Sequence, residues 1–433
     1  MESYVLPAGT AAPSLEELQS GCGMERLHDL AQAAEPGVAT AQETVGPARL
    51  YAPLTRHASS VVPSAPGRPA LVGASAQIAA PEPSRTMTFD ECKRGLGSTT
   101  NFFLKSRFAV CSGASFVQTW VANREPVGVS QFNVRVVGTI AKNSRTINFQ
   151  YYFTEMVAQG ETEVAAMKIT MKAGIPQSWP SGVQYTRGGH MPGTKTFTEL
   201  SAQRTFNDTV NAKPGQGSGT SDLVFAVYQP SITITPPPNA TLTGDLKGNI
   251  FMLAPRWDAA KYLANSTGGG NPAKKGAATF SYLSTLTLSA KAGAEERAEA
   301  QHIREAFLVP QDTKPYMSAK KVPGQAAADP LHRTVSAARI DKNRAAAVKQ
   351  CKRYWGDNYT NGGTKECDEY PFASTYEGAA ENYYDPEAIK FNFSAKPIAK
   401  DDNQAGGIIL KSFYGKERVI DGLDDGFIVK ITV

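Results

Sequence analysis

Between Gln131 and Met156 the chain alternates apolar and polar residues with a period of two. "QFNVRVVGTI" sets Phe132, Val134 and Val136 on one face, "TINFQYYFTEM" does the same with Ile147, Phe149, Tyr151 and Phe153, and "AKNSR" separates them. Only a strand puts alternate side chains on one face, so the stretch predicts a half-buried β-hairpin. Similar runs follow within 88–292, among them "SFVQTWVAN", "EVAAMKITMK", "SDLVFAVYQPSITITP", "GNIFMLA" and "ATFSYLSTLTLSA", divided by Gly- and Pro-rich turns. Short strands at this spacing, with no helical period between them, predict an all-β antiparallel, sandwich-like middle domain. Such modules usually bind, so a ligand or cell-surface partner is expected for it.

The flanking regions differ. Residues 1–87 are dominated by Ala, Pro, Gly and Ser and predict a disordered leader with at most one short helix, near "SLEELQSGCGMERLHDLAQAA". Residues 293–335 predict a helix, "GAEERAEAQHIREAFLV", followed by a linker; His302 on that helix reads as an exposed or capping residue rather than a ligand. A second helix, "SAARIDKNRAAAVKQ", opens the C-terminal domain at 336–433 and carries Arg339, Lys342, Arg344 and Lys349 along a basic side, either solvated or in contact with phosphate. The net charge of +5 does not by itself imply nucleic-acid binding. From Cys351 to Val433 there are 14 acidic and 10 basic residues, so any DNA affinity there needs a local basic strip.

No apolar run is long enough to span a membrane, and the start of the chain lacks the basic and apolar segments of a secretory signal. The five cysteines point the other way. Cys92 with Cys111, and Cys351 with Cys367, can each close a local loop, a gain of about 3 kcal/mol per disulfide on the chain-entropy estimate. Cys22 is left over; the alternative is four reduced, buried thiols. Two disulfides imply a secreted or extracellular protein.

Near the end, "ECDEYPFASTYEGAA" crowds Asp368, Glu369 and Glu377 around Pro371. Mutual repulsion in such a group is relieved by a cation, a proton or solvent. Taken singly, Asp368 can cap a helix beginning at "EYPFASTYEG", Glu377 can be a surface carboxylate, Asn403 a turn residue in "KDDNQAGG", and Tyr370 and Phe372 core. Taken with the later "DDNQAGGIILKSFYGKERVIDGLDDGFIVKI", however, the block resembles the two signature blocks of the NucA/NucB family of bacterial deoxyribonucleases. It departs from them at Ala379, where many relatives carry a second glycine.

The resemblance implies a small α+β domain similar to the ββα-metal endonucleases, in which a hairpin and a helix hold one divalent ion, Mg²⁺ or Mn²⁺, against the scissile phosphate. It implies Asp368 and Glu369 as the catalytic pair, one of them a carboxylate general base in place of histidine, and Glu377 and Asn403 as metal ligands. Gly406 and Gly407 would let backbone approach the DNA or turn tightly, and Lys411 and Arg418 are candidate phosphate contacts. A carboxylate ordinarily titrates near pH 4, so this chemistry requires burial or a neighbouring anion to make it a usable base. The expected function is a metal-dependent endonuclease acting on DNA without sequence preference. The alternatives are an inactive secreted binding protein, or an interbacterial DNase toxin with an N-terminal delivery region and a matching immunity or inhibitor protein.

Overall fold

The computed structural model describes residues 1–32, 78–97, 102–238, 240–241, 243–245, 247–265 and 275–433. The described residues form two compact units, one ending at Ser281 and the other beginning at Tyr282 and including 78–82. The greater part of the expected leader, 33–77, lies outside the described residues.

The first unit is built from two largely antiparallel sheets. The hairpin forms as the alternation predicts: Glu125–Ile140 pairs with Ile147–Gly160, Val136 opposite Tyr151, and the turn passes through Asn143 at positive φ. Phe132, Val134, Val136, Ile147, Phe149, Tyr151 and Phe153 are all buried. Ring stacking of Phe149 on Tyr228, with centroids 3.7 Å apart, joins this sheet to Val224–Thr235 of the other, and one apolar cluster draws on both. The start of the chain differs from expectation. Glu2–Pro7 forms a strand along Ala109–Ala122 with Tyr4 and Leu6 buried, because "YVL" offers enough apolar surface once a sheet edge is present. Cys92 and Cys111 lie at disulfide distance, Cα atoms 5.8 Å apart, fixing the helix Phe89–Leu96 to the same strand.

The second unit is a small α+β assembly. Its elements are β1 (Ser284–Ser289), α1 (Arg297–Leu308), β2 (Leu331–His332), α2 (Ala337–Trp355), β3 (Lys365–Tyr370), β4 (Ser394–Ala399), α3 (Lys400–Lys416) and β5 (Gly426–Thr432). β5 is central in a three-stranded sheet, parallel to β1 and antiparallel to β2. β3 and β4 form a separate antiparallel pair that runs directly into α3. The sequence reading placed "STLTLS" in the middle domain as part of one strand with "ATF". The two separate at 281–283, and β1 buries Leu286 and Leu288 in the second unit's core beside Ile303, Phe413 and Phe427. The expected linker is thus bracketed by strand and helix of the same unit.

Local rules account for the helices. α2 starts at Ser336, whose hydroxyl accepts from the Arg339 amide, and stops at Gly356, whose φ of 79° suits a residue without Cβ. α1 buries Ala300, Ile303 and Ala306, one stripe at helical spacing. The second cysteine pair, Cys351 with Cys367, Cα atoms 6.1 Å apart, fastens α2 to β3. This pair closes a loop of 16 residues, and replacing both cysteines with serine is expected to lower unfolding free energy by about 3 kcal/mol in denaturant titrations. An unchanged midpoint would mean that packing alone holds β3 on α2.

Candidate active site

Side chains alternate across β3, and the acidic residues are sorted accordingly. Glu366, Asp368 and Tyr370 share one face, and Cys367 and Glu369 share the other, where the bond to Cys351 marks the side toward α2. Asp368 is therefore a strand residue and caps no helix. Its neighbour Pro371 follows a cis peptide bond at the end of the strand.

The Glu366 carboxylate accepts from Asn403 Nδ2 at 2.9 Å and from Gln404 Nε2 at 3.1 Å, tying β3 to α3. Asn403 is thus a helical residue, contrary to the turn reading of "KDDNQAGG", and the two glycines after it are helical too. Gly406 makes room for a neighbour: a Cβ there would lie 1.7 Å from Glu299 Oε2. Glu299, on α1, is buried and its Oε2 has no hydrogen-bond partner among the described residues. Burial raises its carboxyl well above the usual range, assisted by the charges of Asp368, Glu369, Glu296 and Asp402.

Asp368 is 5% exposed and is met by His302 from α1, with Nδ1 2.6 Å from Oδ2. The other ring nitrogen, Nε2, lies 2.7 Å from Ser394 Oγ on β4. His302 is itself only 1% exposed, which overturns its reading as a surface or capping residue. The helical stripe held the signal: Glu299, His302 and Ala306 follow one another at spacings of three and four, so His302 lies on the buried side. A cavity of about 200 Å³ lined by His302, Ser394, Lys314, Lys396 and Trp355, among others, adjoins the ring. Sites that enclose a small molecule usually measure about 300–1,000 Å³, so this one suits water better than a nucleotide.

Glu369 is only partly buried. Burial first, then the charges of Asp368 and Glu366, push its carboxyl from 4.5 up to about 8, with Arg344 of α2 pulling the other way. Arg344, Lys342, Lys349, Lys352 and Arg353 are exposed along α2, whereas Arg339 is buried, donates to the Tyr376 carbonyl at 2.6 Å and lies over the Tyr376 and Tyr384 rings.

Glu377 is in a different setting. Its Oε2 accepts from the His332 amide at 2.9 Å, and its Oε1 is 2.7 Å from His332 Nδ1. Asn343 of α2 shapes the turn that carries Glu377: it donates to the carbonyls of Ala373 and Thr375 and accepts from the Ala380 amide. A Cβ at Gly378 would fall 2.3 Å from Asn343 Nδ2, a reason for glycine in "YEG" that sequence reading did not supply. The hydrogen bonds of Glu377 and Asn403 thus go to different partners. Among the described residues, no three His, Cys, Asp or Glu side chains are grouped to hold a metal. Lys411 is exposed on α3; Arg418 is buried at positive φ, a setting for a structural cation rather than a free phosphate contact.

Two tests follow from this packing. Gly406→Ala should destabilise the protein by about 1–3 kcal/mol, the usual cost of overpacking, and Glu299→Ala in the same chain should restore part of it; additive losses would separate the two residues. Glu369, at about 8, and Glu381, raised to about 7 chiefly by burial, both bind protons more tightly folded than unfolded. Their contribution is complete below pH 4.5 and is lost as pH rises through 7 to 8, so urea midpoints should fall over that window. Glu369→Gln should flatten the upper part of the slope, and an unaltered slope would show that Glu369 does not titrate there.

No curated protein and no solved structure matches the chain. Residues 319–429 match the family model described as Deoxyribonuclease NucA/NucB, so the C-terminal region carries a domain of that family.

Proposed function

We propose that the protein is a metal-dependent DNA endonuclease without sequence preference, hydrolysing phosphodiester bonds with Glu369 as general base and Asp368 as its charged partner. The observation that carries this reading is the state of Glu369. Hydrolysis at phosphorus needs a water stripped of a proton, and an ordinary carboxylate is too weak a base for that at neutral pH. Beside Asp368 and partly buried, Glu369 holds its proton up to about pH 8 and so has the basicity the reaction requires. Glu369 also feels the charge of Arg344, one of the exposed cations along α2. A phosphate held by Arg344 would therefore lie near this carboxylate, and the exposed Lys342, Lys349, Lys352 and Arg353 farther round α2 add positive charge that holds a duplex without reading its bases. Lys411 is a further candidate contact.

A hard divalent cation, Mg²⁺ or Mn²⁺, suits the all-oxygen donors near α3, and the fit rests on the unpartnered, buried Oε2 of Glu299. Glu299 and the amide oxygen of Asn403 would hold it, whereas Glu377 would first have to release His332. When bound, the ion supplies positive charge to the phosphate oxygens. Such ions take few protein ligands and fill the rest of their shell with water and phosphate. The two cysteine pairs fit an oxidising, extracellular setting.

The test is nicking of supercoiled plasmid by the purified full chain with Mg²⁺ or Mn²⁺. EDTA should stop it, added salt should weaken DNA binding, and the rate should climb with pH toward a plateau above about 8. Glu369→Gln and Asp368→Asn should each slow cleavage by about a hundredfold or more. Cleavage that persists in EDTA would remove the metal, and full activity in both variants would remove the carboxylate pair.

A further inference from the structure

We propose that His302, on α1 and outside the matched residues 319–429, is a positioning residue for this carboxylate pair: it clamps Asp368 between the helix and β4 and so holds its negative charge beside Glu369. The inference rests on the nuclease reading for its consequence, but the clamp itself is a matter of geometry. Three elements meet in it. Tyr370 pairs with Ser394 across the β3–β4 ladder, so Ser394 stands diagonal to Asp368, and the imidazole spans that diagonal with bonds of 2.6 and 2.7 Å.

The clamp proposed here has Nδ1–H donating to Asp368 and Nε2 accepting from the Ser394 hydroxyl, which can donate as well as accept. All three side chains are at least nine-tenths buried, so a partner removed from the chain leaves a buried polar group without that hydrogen bond. Without the imidazole, Asp368 would face Glu299 on α1 and the Ser394 hydroxyl on β4 with no donor from α1 to hold it, and would rotate away. Glu369 would then lose the neighbouring charge, retaining Glu366 on its own strand, Glu299 on α1 and Arg344 on α2. His302 is 1% exposed and both ring nitrogens are engaged, which is why it is assigned a role through Asp368 and not at the substrate.

The test compares His302→Asn, whose amide can still donate to Asp368, with His302→Phe, which cannot, in the full chain. His302→Phe is expected to lower kcat for plasmid nicking about tenfold or more at unchanged KM and to move the midpoint of the pH–rate curve downward. His302→Asn should recover most of both. A folded His302→Phe protein with the wild-type kcat and pH curve overturns the proposal, as does an Asn variant no better than Phe. Should neither variant fold, the wild type still decides: with ¹⁵N-histidine labelling, His302 must show the neutral Nδ1–H form, and Asp368→Asn must shift that signal. An Nε2–H ring would overturn the clamp. Wild-type protein inactive on DNA would fail the nuclease reading alone, since the ring signal reports on the clamp independently.

Discussion

A carboxylate held almost out of solvent needs a partner at every turn, and Asp368 governs much of the second unit for that reason. Satisfying it requires His302 from α1 and Ser394 from β4 at fixed distances from β3. Burying the anion unpaired would be far more costly than ordering these side chains. The apolar stripe of α1, with Ala300, Ile303 and Ala306, brings the helix to the core, but that contact is non-directional; the imidazole sets its rotation and register over the strands.

The alternation of β3 then divides the labour between adjacent acids. Asp368 is committed inward, while Glu369 faces the side of α2 and its exposed cations. One strand thus sets two carboxyl groups a single peptide unit apart on opposite faces, and the Asp368 charge adds to burial in raising Glu369. The Cys351–Cys367 pair reinforces this by tying the Glu369 side of the strand to α2.

Much of this was legible before any coordinates. The hairpin at 125–160 follows from period-two alternation with a polar turn, since burying one face leaves a single register. The acidic block and its later companion named the family that the comparison supports. Partners distant in sequence were not legible. β1 completes a parallel pair with β5, across more than a hundred residues, and nothing in "STLTLS" says which edge it seeks. His302 and Asp368 are 66 residues apart, and a histidine on an Arg- and Glu-rich helix looks solvent-exposed until the stripe through Glu299 and Ala306 is traced. The glycines were opaque for a related reason: Gly406 reads as backbone freedom and nothing in "YEG" explains Gly378, yet each leaves space for a side chain, that of Glu299 or Asn343.

These contacts also bear on where the working unit begins. The family match opens at residue 319, but α1 ends at Leu308 and β1 at Ser289. Yet β1 supplies an edge of the sheet that holds β5, and α1 supplies both the imidazole that satisfies Asp368 and the carboxylate that fills the space at Gly406. Cutting the chain at the match would expose Leu410, Phe413 and Phe427 where Leu286, Leu288 and Ile303 now pack, and leave the Asp368 anion without its donor. In this chain the compact unit around Asp368 and Glu369 therefore extends before the match, through α1 and β1 and to Ala80 in the same apolar core, and those residues support the carboxylate pair.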